Sequence, residues 1–543
     1  MSTPSLLSSV TPIVNTSFER VTELYQTHVL PRLNSRQGRV TAISTAVAVT
    51  VVYLAYDKLT KPPRKLRHIP QVSFYNFVEA VTKRIPFLIY TKKNVIPLLE
   101  ENESGVYLRP DRMGWTVFVA NPKVAKLVLL KQDLFPKYDH AIGSKGTSFQ
   151  KFALGQANNL VFEPSIHKWK QQRKVANPAF HRAMPVKLFG RMTSKLFNVM
   201  DATDGQNLDW HDLMSRWALD IIGLAGFDFD FNSLEDPDGI YPTQYKEIIK
   251  GTRDPVFIFF PFIERHLGFL FKKSGRTKRL ISEFYDMINE IVVHKRHVLE
   301  HSNVNENLDE NEKDLLTLMI EAELQGEGAL SNDELMSNLV IFFIAGHDTT
   351  AVTLSNAIYY MAMNPHVQEK LREEAITVLG DDKVDVWPTL EQTKHLTYAN
   401  LVIKETLRIG APLPHIFSRE AAKDCELGGY FVPKGTPITV DIHNMHHNPH
   451  VWKNPSKFDP ERFRAGGEAD QNEGMAWVPF SNGGRQCIGM NFSINEQRVL
   501  LSMLVRKYTW TLPEDSIHKN GLITTPAGFI TPIDLRINFK RRY

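Results

Sequence analysis

The sequence predicts a mainly α-helical fold with small β-sheets, built as one large domain behind a single membrane-spanning helix. Three observations predict it: helical periodicity dominates after residue 160, strand patterns are few and short, and one charge-free apolar run stands near the front. The 543 residues are 43% hydrophobic and 23% charged, which excludes disordered, collagen-like and disulfide-scaffold classes. Net charge is +4, from 64 basic and 60 acidic residues, too balanced for a dedicated nucleic-acid binder. Two cysteines occur, Cys425 and Cys487, so no disulfide framework or multi-cysteine metal site can be assembled.

Residues 1–39 form an N-terminal segment with an amphipathic fragment from Phe18 to Leu30. Val40 to Tyr56 then runs 17 residues without a charge. That is the short end of what spans a hydrocarbon core of about 30 Å, and Thr41, Ser44, Thr45 and Thr50 weaken it. A signal peptide fits less well, because the run starts far from the N-terminus with no early basic region. A transmembrane anchor over residues 40–57 is therefore expected. Arg32, Arg36 and Arg39 precede it, while Lys58, Lys61, Arg64, Lys65 and Arg67 follow. The excess on the C-terminal side places the body in the cytoplasm and residues 1–39 in the lumen. The sequon at Asn15 would then be open to glycosylation. Pro62, Pro63 and Pro70 make residues 58–70 a stiff, extended, basic connector.

The body, residues 71–543, has no internal repeat and no long low-complexity linker, which favours one domain. The polar, acidic stretch His301–Asp314 reads as a surface loop. Strand patterns pair Val106–Leu108 with Thr116–Val119. A second pair, Tyr430–Val432 with Ile438–Ile442, is expected around a Pro-Lys-Gly-Thr turn.

Ser331 and Glu334 have capping-box spacing, and apolar sequence continues to Met363 before Asn364 and Pro365 stop it. Such a helix is about 48 Å long and crosses a whole domain. In its middle stands Ala345-Gly-His-Asp-Thr-Thr350. The internal glycine costs on the order of 1 kcal/mol, and Asp348 and Thr349 can compete for backbone hydrogen bonds. A packing kink is one reading. The other is a widened groove that holds a small ligand against a buried acid and hydroxyl.

The strongest local signal is Phe480-Ser-Asn-Gly-Gly-Arg-Gln-Cys-Ile-Gly489. Gly483 and Gly484 permit backbone conformations closed to other residues, and Gly489 permits close approach of a flat object. Arg485 is available to a carboxylate. Helical sequence follows Cys487, so the thiol lies near a helix N-terminus, which favours a thiolate.

On these residues the chain resembles the cytochrome P-450 superfamily, with the expected fold that of its haem domain. The Cys487 segment matches the family's haem-binding loop, and Ala345–Thr350 its oxygen-activating groove, A-G-x-D-T-T. Glu405 and Arg408 match its E-x-x-R helix, Pro460–Phe463 its P-E-R-F segment, and Trp169 with Arg173 its W-x-x-x-R helix. Glu405 and Arg408, three apart on one helix, can pair; the resemblance adds Arg462 as a third, structural member.

The resemblance implies haem b with Cys487 as the thiolate ligand of its iron. Phe480, Gly483 and Gly489 would shape the loop, and Trp169, Arg173, Arg419 and Arg485 would meet the propionates. It further implies a monooxygenase in which Thr349 and Asp348 deliver protons to dioxygen. No flavin or nicotinamide fingerprint occurs, so electrons must come from another protein; the resemblance implies NADPH as their source through NADPH-cytochrome P-450 reductase, with cytochrome b5 as a candidate second donor. The basic stretch His167–Lys174 is the expected docking face. Family pocket positions fall at the loop before Trp169, at Pro255–Phe271, at Phe342, Phe343 and Ala345, at Pro414–Phe417 with Ile416, and near Ala527–Ile530 with Phe529. Their apolar character suits a steroid, fatty acid or aromatic xenobiotic, and Pro255–Phe271 could also dip into a bilayer. Two rivals stand beside this reading: a haem-thiolate isomerase or dehydratase acting on peroxides, and a non-catalytic haem protein that binds a ligand. An endoplasmic reticulum membrane location completes the expectation.

Overall fold

The apolar run near the front forms one helix, α1 (Arg36–Thr60, 25 residues), with Val47, Val51 and Val52 among its exposed side chains. The threonines that weaken its hydropathy are partly neutralised: Thr41 and Thr50 hydroxyls donate to the carbonyls of Gln37 and Ala46 at 2.9 and 2.7 Å. The connector is less extended than expected. Residues Arg64–Leu66 form a 3₁₀ turn, and Arg67 folds back to pair with Asp57 at 2.6 Å and Pro62 O at 2.9 Å. This computed structural model describes residues 35–301, 310–326, 328 and 330–543. The Phe18–Leu30 fragment, the Asn15 sequon and most of the polar stretch after His301 lie outside those residues. The chain divides into two compact units whose boundary falls between Arg67 and His68.

The second unit begins before residue 71, because the Leu108 amide already donates to Pro70 O at 2.7 Å. Helix α2 (Phe87–Asn94) precedes an antiparallel pair, β1 (Val106–Asp111) and β2 (Gly114–Val119), which is the first strand pair expected. Then come α3 (Ile166–Arg182), α4 (Trp210–Phe227), α5 (Ile240–Thr252), α6 (Lys272–His301), α7 (Asn332–Met363) and α8 (Thr397–Ile409). Strands β3 (Arg419–Glu420), β4 (Cys425–Leu427), β5 (Tyr430–Val432) and β6 (Pro437–Val440) follow, and α9 (Met490–Lys507) carries the chain from the Cys487 loop.

The second expected strand pair is corrected. Tyr430–Val432 pairs with Cys425–Leu427, while β6 lies parallel to β2 and antiparallel to β3. Gly428 and Gly429 both have positive φ, 57° and 84°, the two-residue turn that closes a tight hairpin. Ile442 lies in no strand; it opens a short helix capped by Asp441.

The long helix is capped as its sequence demands, with the Glu334 amide donating to Ser331 Oγ at 3.3 Å and the Ser331 amide to Glu334 Oε2 at 3.0 Å. Among the described residues it is, beside α1, the second helix apolar and long enough to cross a membrane, yet 78% of its most apolar stretch is buried. It is a core helix. Leu335–Ile344 belongs to one apolar cluster and Ala351–Met361 to another, so Ala345–Thr350 falls at their junction. A cavity opens there.

Candidate functional site

Cys487 stands between a 3₁₀ turn, Gly483–Arg485, and the first residue of α9. Its amide donates to Phe480 O at 2.9 Å, and Arg173 Nη1 donates to Gln486 O at 3.0 Å, so the loop is held from two sides. Gly483 takes φ +69°. Ser481 also takes a left-handed φ, 59°, at a cost of roughly 1–2 kcal/mol for a residue with a Cβ. The Cys487 side chain opens onto an internal cavity of about 500 Å³, exposed to that space while enclosed by protein. Burial pushes its thiol up, against the Gly489 amide and Arg173, which pull it down. Coordination to a metal deprotonates such a thiol outright.

The same cavity is lined by cations that lack carboxylate partners. Arg419 Nε and Nη2, Arg485 Nε and Nη1, and Trp169 Nε1 are buried without a hydrogen-bond partner. The Arg485 guanidinium lies 4.2 Å from the Trp169 ring, and the Lys137 ammonium 5.2 Å from Phe417. Burial holds Arg419 down at about 10; burial and then neighbouring Arg419 hold Arg485 at about 9. Burial, followed by the same two arginines, also pushes Lys137 well below the usual lysine range. Uncompensated buried charge is costly, so this wall is built for an anion. A Cβ on Gly489 would have Phe180 at 3.6 Å as its nearest neighbour, so glycine keeps the cavity face beside Cys487 flat. A flat group bearing carboxylates and accepting a thiolate fits these residues, as haem does. Trp169, Arg173, Arg419, Phe480, Arg485, Cys487 and Gly489 all line the cavity; Gly483 does not and acts through the turn. Lys137 was not singled out by sequence, having no motif around it.

Glu405 and Arg408 are fully buried and meet twice, Nε to Oε2 at 2.7 Å and Nη2 to Oε1 at 2.8 Å. Arg462 Nε lies 3.4 Å from Glu405 Oε1, and the Asp459 amide donates to the same oxygen at 2.8 Å. Arg462 also pairs with Glu468 and donates to Lys453 O at 2.7 Å. This cluster does not line the cavity.

Helix α7 faces the cavity with Phe342, Ala345, Gly346, Thr349 and Thr350. Phe343, expected in the pocket, turns the other way. Its ring lies 5.1 Å from Tyr245 and 5.1 Å from Phe284, because successive helical side chains diverge by about 100°. The Thr349 hydroxyl donates to Ala345 O at 2.6 Å. Asp348 does not line the cavity. Arg253 Nη2 pairs with its Oδ2 at 2.5 Å, Tyr245 donates to it at 3.1 Å, and His347 lies 3.4 Å away. Burial pushes the acid up, but Arg253 and His347 prevail and hold it at about 2. A second acid, Glu496 on α9, lines the cavity and accepts from Thr350 at 3.2 Å; burial pushes it up to about 8. Its place nine residues after Cys487 carried no chemical cue of its own. Ile416 and Phe529 line the cavity as expected.

A family model described as Cytochrome P450 matches residues 107–535. Cytochrome P450 3A5 of Homo sapiens is 27% identical over 437 residues, covering 77% of this chain and 82% of that one. Protein LUTEIN DEFICIENT 5, chloroplastic, of Arabidopsis thaliana is 27% identical over 444 residues, covering 78% of this chain and 70% of that one. Among solved structures, a cytochrome P450DA heme domain superposes with TM-score 0.72 at 21% identity, covering 88% of this chain and 98% of that one.

Proposed function

Because the chain belongs to the cytochrome P450 family and is a monooxygenase, we propose that it inserts one oxygen atom from O₂ into a lipophilic small molecule. A steroid, a fatty acid and an aromatic xenobiotic are the substrate types in view, with NADPH-derived electrons arriving through NADPH-cytochrome P-450 reductase. The observation that carries this reading is the Cys487 thiol opening onto a cavity walled by Phe342, Ile416 and Phe529. Haem b, when bound, supplies the reductive splitting of O₂: substrate RH, O₂, two electrons and two protons give ROH and water.

The chain's residues do the rest. Cys487 supplies the iron ligand, and Arg173 steadies its loop through Gln486 O. Lys137, Trp169, Arg419 and Arg485 supply donors for two propionates. The apolar wall excludes water and orients substrate. The Thr349 hydroxyl, resting on Ala345 O, is the cavity-facing proton donor, and Asp348 resupplies it after leaving Arg253. Glu405, Arg408 and Arg462 hold the fold around the Cys487 loop. His167, Lys168, Lys170 and Lys174 stand exposed on α3 and suit an acidic reductase face, whereas Arg173 turns inward.

Reductase- and NADPH-dependent oxygen uptake on addition of substrate tests the function against peroxide rearrangement and simple ligand binding. Reduced protein under carbon monoxide should absorb near ~450 nm because of the thiolate ligand. Cys487→Ala should lose that band and Cys425→Ala should keep it; the reverse result would refute the assignment.

Exposed apolar surface supports a membrane location. Helix α1 is the proposed anchor, in the endoplasmic reticulum membrane with the haem domain in the cytoplasm. In Pro255–Phe271, Ile258 and Phe259 line the cavity while Phe262, Phe269 and Leu270 are exposed, which suits a segment that dips into lipid and admits substrate from it. Full-length protein should resist alkaline carbonate extraction, and a chain beginning near Lys61 should be released. Release of the full-length chain would exclude the spanning anchor.

A further inference from the structure

At the sheet side of the cavity stands a further cation that the haem reading does not use. Arg109, in the middle of β1, is 7% exposed and lines the cavity. Its guanidinium carbon lies 4.0 Å over the Phe118 ring, and among the described residues it forms no ion pair within 4.0 Å. Two acids, Asp441 and Asp111, lie near enough to favour its charged form, but neither comes within ion-pair distance. Asp441 is taken by Tyr107, by Asn444 Nδ2 at 2.8 Å and by the Asn444 amide at 3.1 Å. Asp111, two residues along the strand, is partly exposed and stays outside ion-pair range.

Two further polar groups stand idle beside it. The Tyr90 hydroxyl on α2 is buried without a partner, in a residue 6% exposed. His415 Nδ1 is likewise buried and unpartnered, its ring 5.9 Å from the same Phe118 that Arg109 covers. Both residues line the cavity. Neither α2, β1 nor the 412–417 segment carries Cys487 or Thr349. A planar guanidinium with a phenol and an imidazole beside it is a donor set for a carboxylate, which a guanidinium binds through two parallel hydrogen bonds.

We propose that Arg109, Tyr90 and His415 form a subsite for the carboxylate of the substrate, which is therefore a lipophilic carboxylic acid with its reacting carbon away from the acid end. The inference rests on the monooxygenase reading above and narrows its substrate class. The apolar wall binds the skeleton, and Arg109 selects the acid and fixes which end faces the thiol side.

The test is equilibrium dialysis of haem-loaded full-length protein with dodecanoic acid, hexadecanoic acid and a steroid carboxylic acid, each against its methyl ester. The acid should bind about 10- to 100-fold more tightly than its ester, the range expected of charge-assisted hydrogen bonds. Arg109→Leu should remove that preference and leave ester binding unchanged; Arg109→Lys should keep part of it. Tyr90→Phe should weaken acid binding by about threefold to tenfold, as loss of one hydrogen bond does, and supplies the conservative variant should Arg109→Leu fail to load haem. Equal binding of acid and ester by the wild type, or equal loss of both in Arg109→Leu or Tyr90→Phe, would overturn the subsite alone. Failure of every acid and every ester to bind would overturn the lipophilic-substrate reading with it.

Discussion

Arg408→Leu should destabilise the haem domain by about 3–5 kcal/mol, the cost of stranding one partner of a buried ion pair. The Glu405 carboxylate would lose both of its Arg408 contacts, keeping the Asp459 amide and the more distant Arg462. The His446 carbonyl would lose its Arg408 donor at 2.8 Å, and the Lys457 carbonyl would lose one at 3.1 Å and keep only Arg462 Nη2 at 3.4 Å. Urea midpoints of haem-loaded protein measure the effect. A double substitution, Glu405→Leu with Arg408→Leu, should cost less than the sum of the two singles, because the second change removes the stranded charge. A loss under about 1 kcal/mol for Arg408→Leu, the size of an exposed pair, would mean the triad does not hold the fold.

Thr349→Ala should leave haem binding and substrate affinity nearly intact while product formed per NADPH oxidised collapses. Positioned proton donors contribute roughly 10²–10⁴-fold. Electrons still reach oxygen, so the oxygen consumed should appear as hydrogen peroxide. Thr349→Ser, which keeps the hydroxyl, should restore most of the coupling. Asp348→Asn should uncouple as well. Its carboxylate is engaged by Arg253 and held at about 2 rather than facing the cavity, so its part depends on release from that pair. An unchanged product ratio in both Thr349→Ala and Asp348→Asn would assign Ala345–Thr350 to packing alone.

The two residues are neighbours in the motif, yet they part in space. The motif shows that an acid and a hydroxyl are present, and the helical rotation between them sends Thr349 into the cavity and Asp348 toward α5. Phe342 and Phe343 part in the same way. Which direction is inward is set by what packs on each face, here Tyr245 from α5 and Phe284 from α6, and both lie far away in the chain.

Features with short-range causes were legible from the sequence. The limits of the long helix follow from Ser331, Glu334 and Pro365; the pairing of Glu405 with Arg408 follows from helical spacing; the family follows from residues spaced closely enough to form each motif on one local element. The β4–β5 hairpin belongs here too, since the adjacent glycines 428 and 429 are a local signal for it, stronger than the Pro-Lys-Gly-Thr stretch that follows. Only the tertiary structure decided which buried cations lack partners. Lys137 and Tyr90 sit in sequence that carries no charge or pattern cue, and each became significant when distant segments closed around it without offering a counter-charge or acceptor; Arg109 became significant because Asp441 and Asp111 lie near it yet stay outside ion-pair range. A charge loses its water through the summed approach of many chain segments, so the sequence names the charged groups and the fold alone determines which of them are left needing a ligand.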